Sequence, residues 1–209
     1  LIHDFKSNKT SKLRHPKTRF NREIHLRDSE VYVASTNGIN VYSYSDTSNQ
    51  LVYQRTLLEA IETLDFNFDS QNRIWAGTYQ KGLFVIDTQN TKKVVLYDSQ
   101  VDTYTVRSIE FDREINALIS VEGVGMLVID QDLNIVKTLK HDPNKLSSLS
   151  QNSIYEIFVD DENVYWLGMR EIGIDLIFPK DNAFNNVSYV PYKSNSIHNN
   201  NIRSIYFDE

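Results

Sequence analysis

The feature that most constrains this chain is that it repeats itself. Segments starting at Glu30 (EVYVASTNGINVYS), Arg73 (RIWAGTYQKGLFVID), Asn116 (NALISVEGVGMLVID) and Val164 (VYWLGMREIGIDLIF) share one layout. Each has an apolar run, a polar turn closed by glycine, and a second apolar run. In register, a bulky position falls at Tyr32, Trp75, Leu118 and Trp166, at intervals of 43, 43 and 48 residues. The turn glycine falls at Gly38, Gly82, Gly125 and Gly173. An aspartate six residues ahead of the bulky position recurs at Asp69, Asp112 and Asp160, and again at Asp208, whereas the first copy has Leu26 there. Marks that stay in step over successive copies define a repeat, and a repeat decides the fold before any single segment does.

The period inside each copy is that of strands. In "LDFNFD", Leu64, Phe66 and Phe68 alternate with Asp65, Asn67 and Asp69, and "SIEFD" and "SIYEIFVDD" fill the same slot later. The Trp75-type strand follows, then a hairpin with glycine where a positive φ is needed. A fourth strand is expected at "KKVVLYD" from Lys92, "NIVKTLKH" from Asn134 and "NVSYVPY" from Asn186. Short antiparallel strands in fours, every 43–48 residues, predict β-propeller blades. The expected fold class is all-β, a partial ring of about four blades over 22–56, 57–98, 99–141 and 142–195. Residues 1–21 would end a preceding blade, with "LIHDF" as its last strand, and 196–209 would supply the inner strand of a further one. The helix-like pattern of "LLEAIETL" (Leu57 to Leu64) is read as a connector holding one helical turn.

The spacers between blades are more particular. "PNKLSSLSQNSIYEIFVDD" from Pro143 and "PYKSNSIHNNNIRSIYFDE" from Pro191 align without a gap at an offset of 48 residues. Lys145 matches Lys193, Ser148 matches Ser196, Asn152 matches Asn200 and Ile154 matches Ile202. With "HDPNKLSSLSQNSI" leading into "I..IF.D......WLG", the region from Arg22 to Glu209 resembles the regulator-propeller repeat. That repeat builds the extracytoplasmic sensor region of hybrid two-component histidine kinases. The resemblance implies a periplasmic receptor part that binds an oligosaccharide, packs against neighbouring propeller domains and works as a homodimer. The kinase, receiver and DNA-binding parts would lie elsewhere in the parent protein. Copy three departs from the pattern, with "LISVEGVG" in place of "WAGTYQKG".

Composition narrows the function classes. With 22 Lys+Arg against 28 Asp+Glu the chain has a net charge of −6, which argues against a general nucleic-acid binder. It has no cysteine, so disulfides and thiolate metal sites are excluded. No apolar run reaches the ~18 residues of a membrane helix, and any export signal would lie outside these residues. No cofactor motif is present.

Candidate residues are each weighed against a structural role. Trp75 and Trp166 sit inside apolar strands and read as core. The repeated aspartates end strands before tight turns, where Asp accepts backbone N–H bonds. His3, His15, His25, His141 and His198 lack metal-ligand spacing. The basic stretch Lys6 to Arg22 could meet an anionic surface, but such a run more often stays solvated. Specificity is expected in the second-to-third-strand turns, which vary between copies while the strands stay constant. Their contents are Thr36–Asn37, Tyr79–Lys81, Glu122–Val124 and Arg170–Ile172. Tyr79, Gln80, Lys81, Arg170 and Glu171 carry the groups suited to a ligand's hydroxyls and charges. No catalytic pair of carboxylates is marked, so a binding role is expected rather than an enzyme. A protein-interaction scaffold is the alternative.

Overall fold

The structure, a computed structural model, describes residues 2–4, 9–11, 18–45, 50–87, 91–94, 103–145, 147–179, 183–194 and 196–205. The chain forms two compact units, Leu1–Asp65 and Phe66–Glu209. In the first, β1 (Ile2–Asp4) pairs with β2 (Lys9–Ser11) as a two-stranded sheet. Strands β3 (Asn21–Arg27), β4 (Glu30–Ser35), β5 (Gly38–Ser45) and β6 (Gln50–Leu57) form a 4-stranded sheet in chain order, the first blade.

Three further 4-stranded sheets follow. The second blade is β7 (Thr63–Phe68), β8 (Ile74–Thr78), β9 (Gly82–Ile86) and β10 (Thr91–Val94). The third is β11 (Val106–Phe111), β12 (Ala117–Val121), β13 (Gly125–Ile129) and β14 (Ile135–Leu139). The fourth is β15 (Ile154–Val159), β16 (Tyr165–Met169), β17 (Ile174–Phe178) and β18 (Ala183–Val187). All pairings are antiparallel. The bulky positions keep one register: Tyr32 faces Val41, Trp75 faces Val85, Leu118 faces Val128 and Trp166 faces Leu176. Tyr32, Trp75 and Leu118 are buried; Trp166 is only half-buried.

A single turn chemistry explains the recurring aspartates. The Oδ1 atoms of Asp69, Asp112, Asp130 and Asp160 accept the main-chain N–H four residues on, from Arg73, Asn116, Asn134 and Val164, at 2.8–2.9 Å. The residues between, Asn72, Ile115, Leu133 and Asn163, each take φ of 63–70°. Such a turn ends one strand and starts the next while its carboxylate satisfies the loop's donors. Leu26 can replace the aspartate in the first blade because β3 and β4 meet in a tighter turn. There Arg27 pairs with Glu30, and Asp28 takes the positive φ of 52°.

In the second unit the core lies between successive blades. Trp75, Leu83 and Val85 of the second blade pack with Val106, Ile109, Ile119 and Leu127 of the third. Leu118, Met126 and Val128 of the third pack with Ile154, Ile157, Tyr165 and Leu167 of the fourth. Close approach needs glycine at two places. A Cβ on Gly77 would sit 2.7 Å from Val106 Cγ1, and one on Gly168 would sit 2.9 Å from Ile202 Cγ2. Ile202 N also donates to Met169 O at 3.3 Å, so the start of the last copy lies on the fourth blade.

Four expectations need correction. The 57–64 segment holds no helical turn: Leu58 and Ala60 both take positive φ, and Ile61 N donates to Leu58 O in a non-helical turn. The fourth strand of the last blade is Ala183–Val187, earlier than Asn186 onward, because the Tyr189 stretch folds as a second copy of the 141–149 spacer. No strand forms over 200–205, which lack blade partners, and 206–209 lie outside the described residues. Ile2–Asp4 is a strand, but its partner is the nearby Lys9–Ser11.

Candidate functional site

The variable turns of the second unit share one edge with the connectors between blades. Gly82 N donates to Tyr104 O at 2.9 Å, and Gln80 N donates to Thr105 Oγ1 at 3.2 Å. Glu122 N donates to Thr105 O at 2.9 Å, and Arg170 N donates to Ser153 O at 3.1 Å. The β8–β9 turn is therefore tied to the connector leading into the next blade, and the turns of Glu122 and Arg170 to the connectors leading into their own blades. The backbone N–H groups of Gln80, Gly82, Glu122 and Arg170 are thus used by the scaffold.

All five candidate residues are exposed on this edge. Tyr79, Gln80 and Lys81 form the β8–β9 turn, with Gln80 at φ 55° and Tyr79 46% exposed. Arg170 and Glu171 form the β16–β17 turn, Arg170 Nε lying 3.6 Å from Glu171 Oε1. The two groups do not touch directly among the described residues. Thr105 and Glu122 join them. Glu122 Oε2 accepts Arg107 Nε at 3.0 Å and Nη2 at 2.7 Å, while its Oε1 lies 3.8 Å from Arg170 Nη1. The Arg107 guanidinium lies over the Tyr155 ring, 4.8 Å from its centroid.

Arg107 and Tyr155 belong to inner strands and were not among the sequence candidates. The signal was a charged residue directly after Val106, inside an otherwise apolar alternation. The matching turn of the first unit presents less. Thr36 N donates to Phe20 O at 3.2 Å, Arg19 N donates to Thr36 Oγ1 at 3.0 Å, and Asn37 is buried.

What separates Tyr79 and Lys81 from the other polar groups is that their side-chain donors are unspent. Among the described residues the side chains of Tyr79, Lys81 and Arg170 make no hydrogen bond; Arg170 has only the two long ion pairs above. The repeated aspartates are the opposite case. Asp69 Oδ2 accepts Trp75 Nε1 at 2.8 Å and Arg73 Nε at 2.6 Å. Burial works against its charge, but the donors from Trp75 and Arg73 outweigh that and hold its pKa below the ordinary carboxylate value. Asp160 likewise accepts Trp166 Nε1 at 2.8 Å. Asp208 lies outside the described residues. His141 anchors its spacer, with Nδ1 2.7 Å from Leu149 O. The side chains of His3 and His15 and most of the Lys6–Arg22 stretch also lie outside.

No family model and no curated protein matches the chain. Solved structures do. The extracellular domain of a candidate one-component system, BT4673 of B. thetaiotaomicron, superposes with a TM-score of 0.67 at 20% identity, over 90% of this chain and 25% of that one. The extracellular domain of a candidate hybrid two-component system, BT3049 of the same organism, gives 0.62 at 22% identity, over 84% and 23%. A streptogramin B lyase gives 0.58 at 13% identity, over 84% and 56%. The fold is an all-β partial propeller of about four blades. The chain spans about a quarter of the length of the two B. thetaiotaomicron domains.

Proposed function

We propose that this chain is part of the ligand-sensing, extracytoplasmic propeller of a hybrid two-component receptor in the periplasm, that it detects an oligosaccharide, and that it has no catalysis of its own. The observation that carries this reading is the turn edge. Tyr79 and Lys81 present unbonded donors, and Arg170 a guanidinium held only by two long ion pairs, on turns whose backbone is bonded to the connectors, as a binding surface requires. The two carboxylates of this edge among the described residues, Glu122 and Glu171, both lie beside Arg170, at 3.8 and 3.6 Å, and so serve as partners of a cation. The fold shared with extracellular domains of two-component systems supports the receptor setting.

Binding transmits a signal only through unequal affinity for two receptor states. Packed blades resist internal change, so the response is carried at contacts with neighbouring propeller domains and with the second copy of a receptor homodimer. The test is calorimetry of the chain against a panel of plant and host oligosaccharides. Changing Tyr79, Lys81 and Arg170 together to alanine is expected to weaken the hit at least tenfold, since hot-spot truncations cost about 2 kcal/mol or more each. Unchanged affinity in the triple variant would move the site off this edge, and turnover of a sugar by the wild type would refute the non-catalytic reading.

A further inference from the structure

The two spacers are one scaffold with two contents. His141 N donates to Asn152 Oδ1 at 2.7 Å, and Tyr189 N donates to Asn200 Oδ1 at 2.5 Å. Ser148 Oγ donates to Lys145 O at 2.9 Å, and Ser196 Oγ to Lys193 O at 3.0 Å. Lys145 N donates to Asp142 O at 3.0 Å, and Lys193 N to Val190 O at 3.2 Å. The first spacer reads His141, Asp142, Pro143, Asn144, Lys145 and is polar apart from the proline; the second reads Tyr189, Val190, Pro191, Tyr192, Lys193.

The exchange frees two groups. In the first spacer the Asp142 carboxylate accepts Asn144 N at 3.0 Å and lies 3.8 Å from Lys145 Nζ. Val190 can do neither. Lys193 is left without an ion pair among the described residues. Tyr192 stands clear of its surroundings, at 108% relative exposure, with φ of 64°. An aromatic residue in the left-handed region is a conformational outlier, and outliers held by an otherwise ordinary loop concentrate at functional sites. Tyr189 and Val190 beside it are 45% and 42% exposed, where a soluble surface would gain from polar residues.

This loop adjoins the candidate site. Asn200, whose side chain holds Tyr189, accepts Gly173 N on its own carbonyl at 2.8 Å, and Gly173 closes the turn that carries Arg170 and Glu171. Asn200 therefore links the exposed aromatic loop to the turn that carries Arg170, and Lys193 follows Tyr192 directly in the chain. A pyranose ring has an apolar C–H face and a hydroxylated rim, and needs that combination. Lys193, without an ion pair among the described residues, and Arg170, held only by two long ones, favour a sugar that also carries a negative charge.

We propose that Tyr192 and Tyr189 form the stacking platform for an oligosaccharide bearing uronic-acid residues, with Lys193 and Arg170 receiving its carboxylates. This rests on the sensor reading and adds the ligand class and the residues that select it. The experiment is calorimetry of the chain with an oligogalacturonate and with a neutral galactose oligomer of equal length, at low and at moderate salt. The acidic oligomer is expected to bind more tightly, with an advantage that shrinks as salt screens the charges. Tyr192→Ala is expected to weaken it about tenfold or more, as loss of an aromatic anchor does. Lys193→Gln is expected to narrow the gap between the two sugars, and Asn144→Ala, in the polar spacer, to change nothing. Equal affinity for both oligomers, or a Tyr192→Ala variant that binds like the wild type, overturns the proposal and leaves the sensor reading in place. Binding of another panel sugar with neither of these does the same. Failure of every oligosaccharide to bind overturns both. Self-association lost on Tyr192→Ala, with no sugar bound, reassigns the loop to a protein contact.

Discussion

The second and third blades share one register, yet they satisfy the same carboxylate from opposite directions. In the second, Asp69 is capped from within its own blade by the indole N–H of Trp75 at 2.8 Å. In the third, Leu118 holds the tryptophan's place and has no donor to offer. There Asp112 Oδ2 takes the hydroxyl of Tyr165, which comes from the next blade, at 3.0 Å, and Asn116 Nδ2 at 3.2 Å. The glycine position differs in the same way. Gly77 leaves room for Val106, while Ser120 fills the matching place in the third blade and accepts Ser108 N on its hydroxyl at 2.9 Å. What the repeat keeps is a satisfied turn and a filled gap, not a particular residue. A degraded motif can therefore sit in an intact blade.

The largest effect that could break this comparison is at Trp75. It is fully buried and meets the Phe111 ring edge-on, with centroids 5.8 Å apart. Trp75→Ala is expected to lower stability by about 3–5 kcal/mol, from lost transfer energy plus the cavity left behind. Urea unfolding measures it, and a loss under about 1 kcal/mol would mean that the blades are not packed as described. Next comes the substitute donor. Tyr165→Phe leaves one buried oxygen of Asp112 short of a partner and is expected to cost about 1–3 kcal/mol. Additivity of Tyr165→Phe and Asp112→Ala in a double-mutant cycle would show that the hydroxyl and carboxylate are not coupled.

The pH dependence sharpens the contrast at a smaller scale. The pKa of Asp69 is lowered in the fold: burial raises it, but the hydrogen bonds from Trp75 and Arg73 more than compensate. A carboxylate whose folded pKa is depressed contributes stability that is fully present above its unfolded value of about 3.9 and is lost as pH falls through the folded value. Stability measured from neutral to strongly acidic pH is therefore expected to fall less steeply in Asp69→Asn than in the wild type. An unchanged slope would mean that the indole bond is absent in solution.

Much of this was legible in the sequence because the signals were periodic. Alternation gave the strands, the 43–48-residue interval gave the blades, and the aspartates gave turns with a defined chemistry. The misses have physical causes too. The 57–64 segment has helical spacing, but tertiary constraint puts Leu58 and Ala60 at positive φ, and an isolated turn's propensity is too weak to resist. The fourth strand of the last blade was displaced because "NVSYVPY" is apolar enough to pass for a strand. Its Tyr189 onward repeats the His141 spacer, whose asparagine, serine and lysine bonds recur, and hydropathy does not register those bonds. At the candidate site the sequence supplied the turn residues. Arg107 and Tyr155 were hidden because a cation stacked across two blades is a tertiary fact with no local period.

The smallest expected effect concerns the fourth blade, which has the same Asp–Trp pair as the second but a less enclosed one. Trp166 Nε1 donates to Asp160 Oδ2 at 2.8 Å, the same length as in the second blade, yet Trp166 is half-buried and Trp75 is wholly enclosed. Hydrogen-bond length is therefore held constant while burial changes. Trp166→Phe keeps most of the packing and removes the indole donor, and water can reach the freed carboxylate oxygen. Its cost is expected to stay within about 0.5–1.5 kcal/mol, the net value of one hydrogen bond. Trp75→Phe leaves the buried Oδ2 of Asp69 with Arg73 Nε and no water to replace the indole, and is expected to cost more. Equal losses for the two substitutions, measured side by side in urea, would show that enclosure does not set the strength of this bond and that the blades' shared geometry alone does.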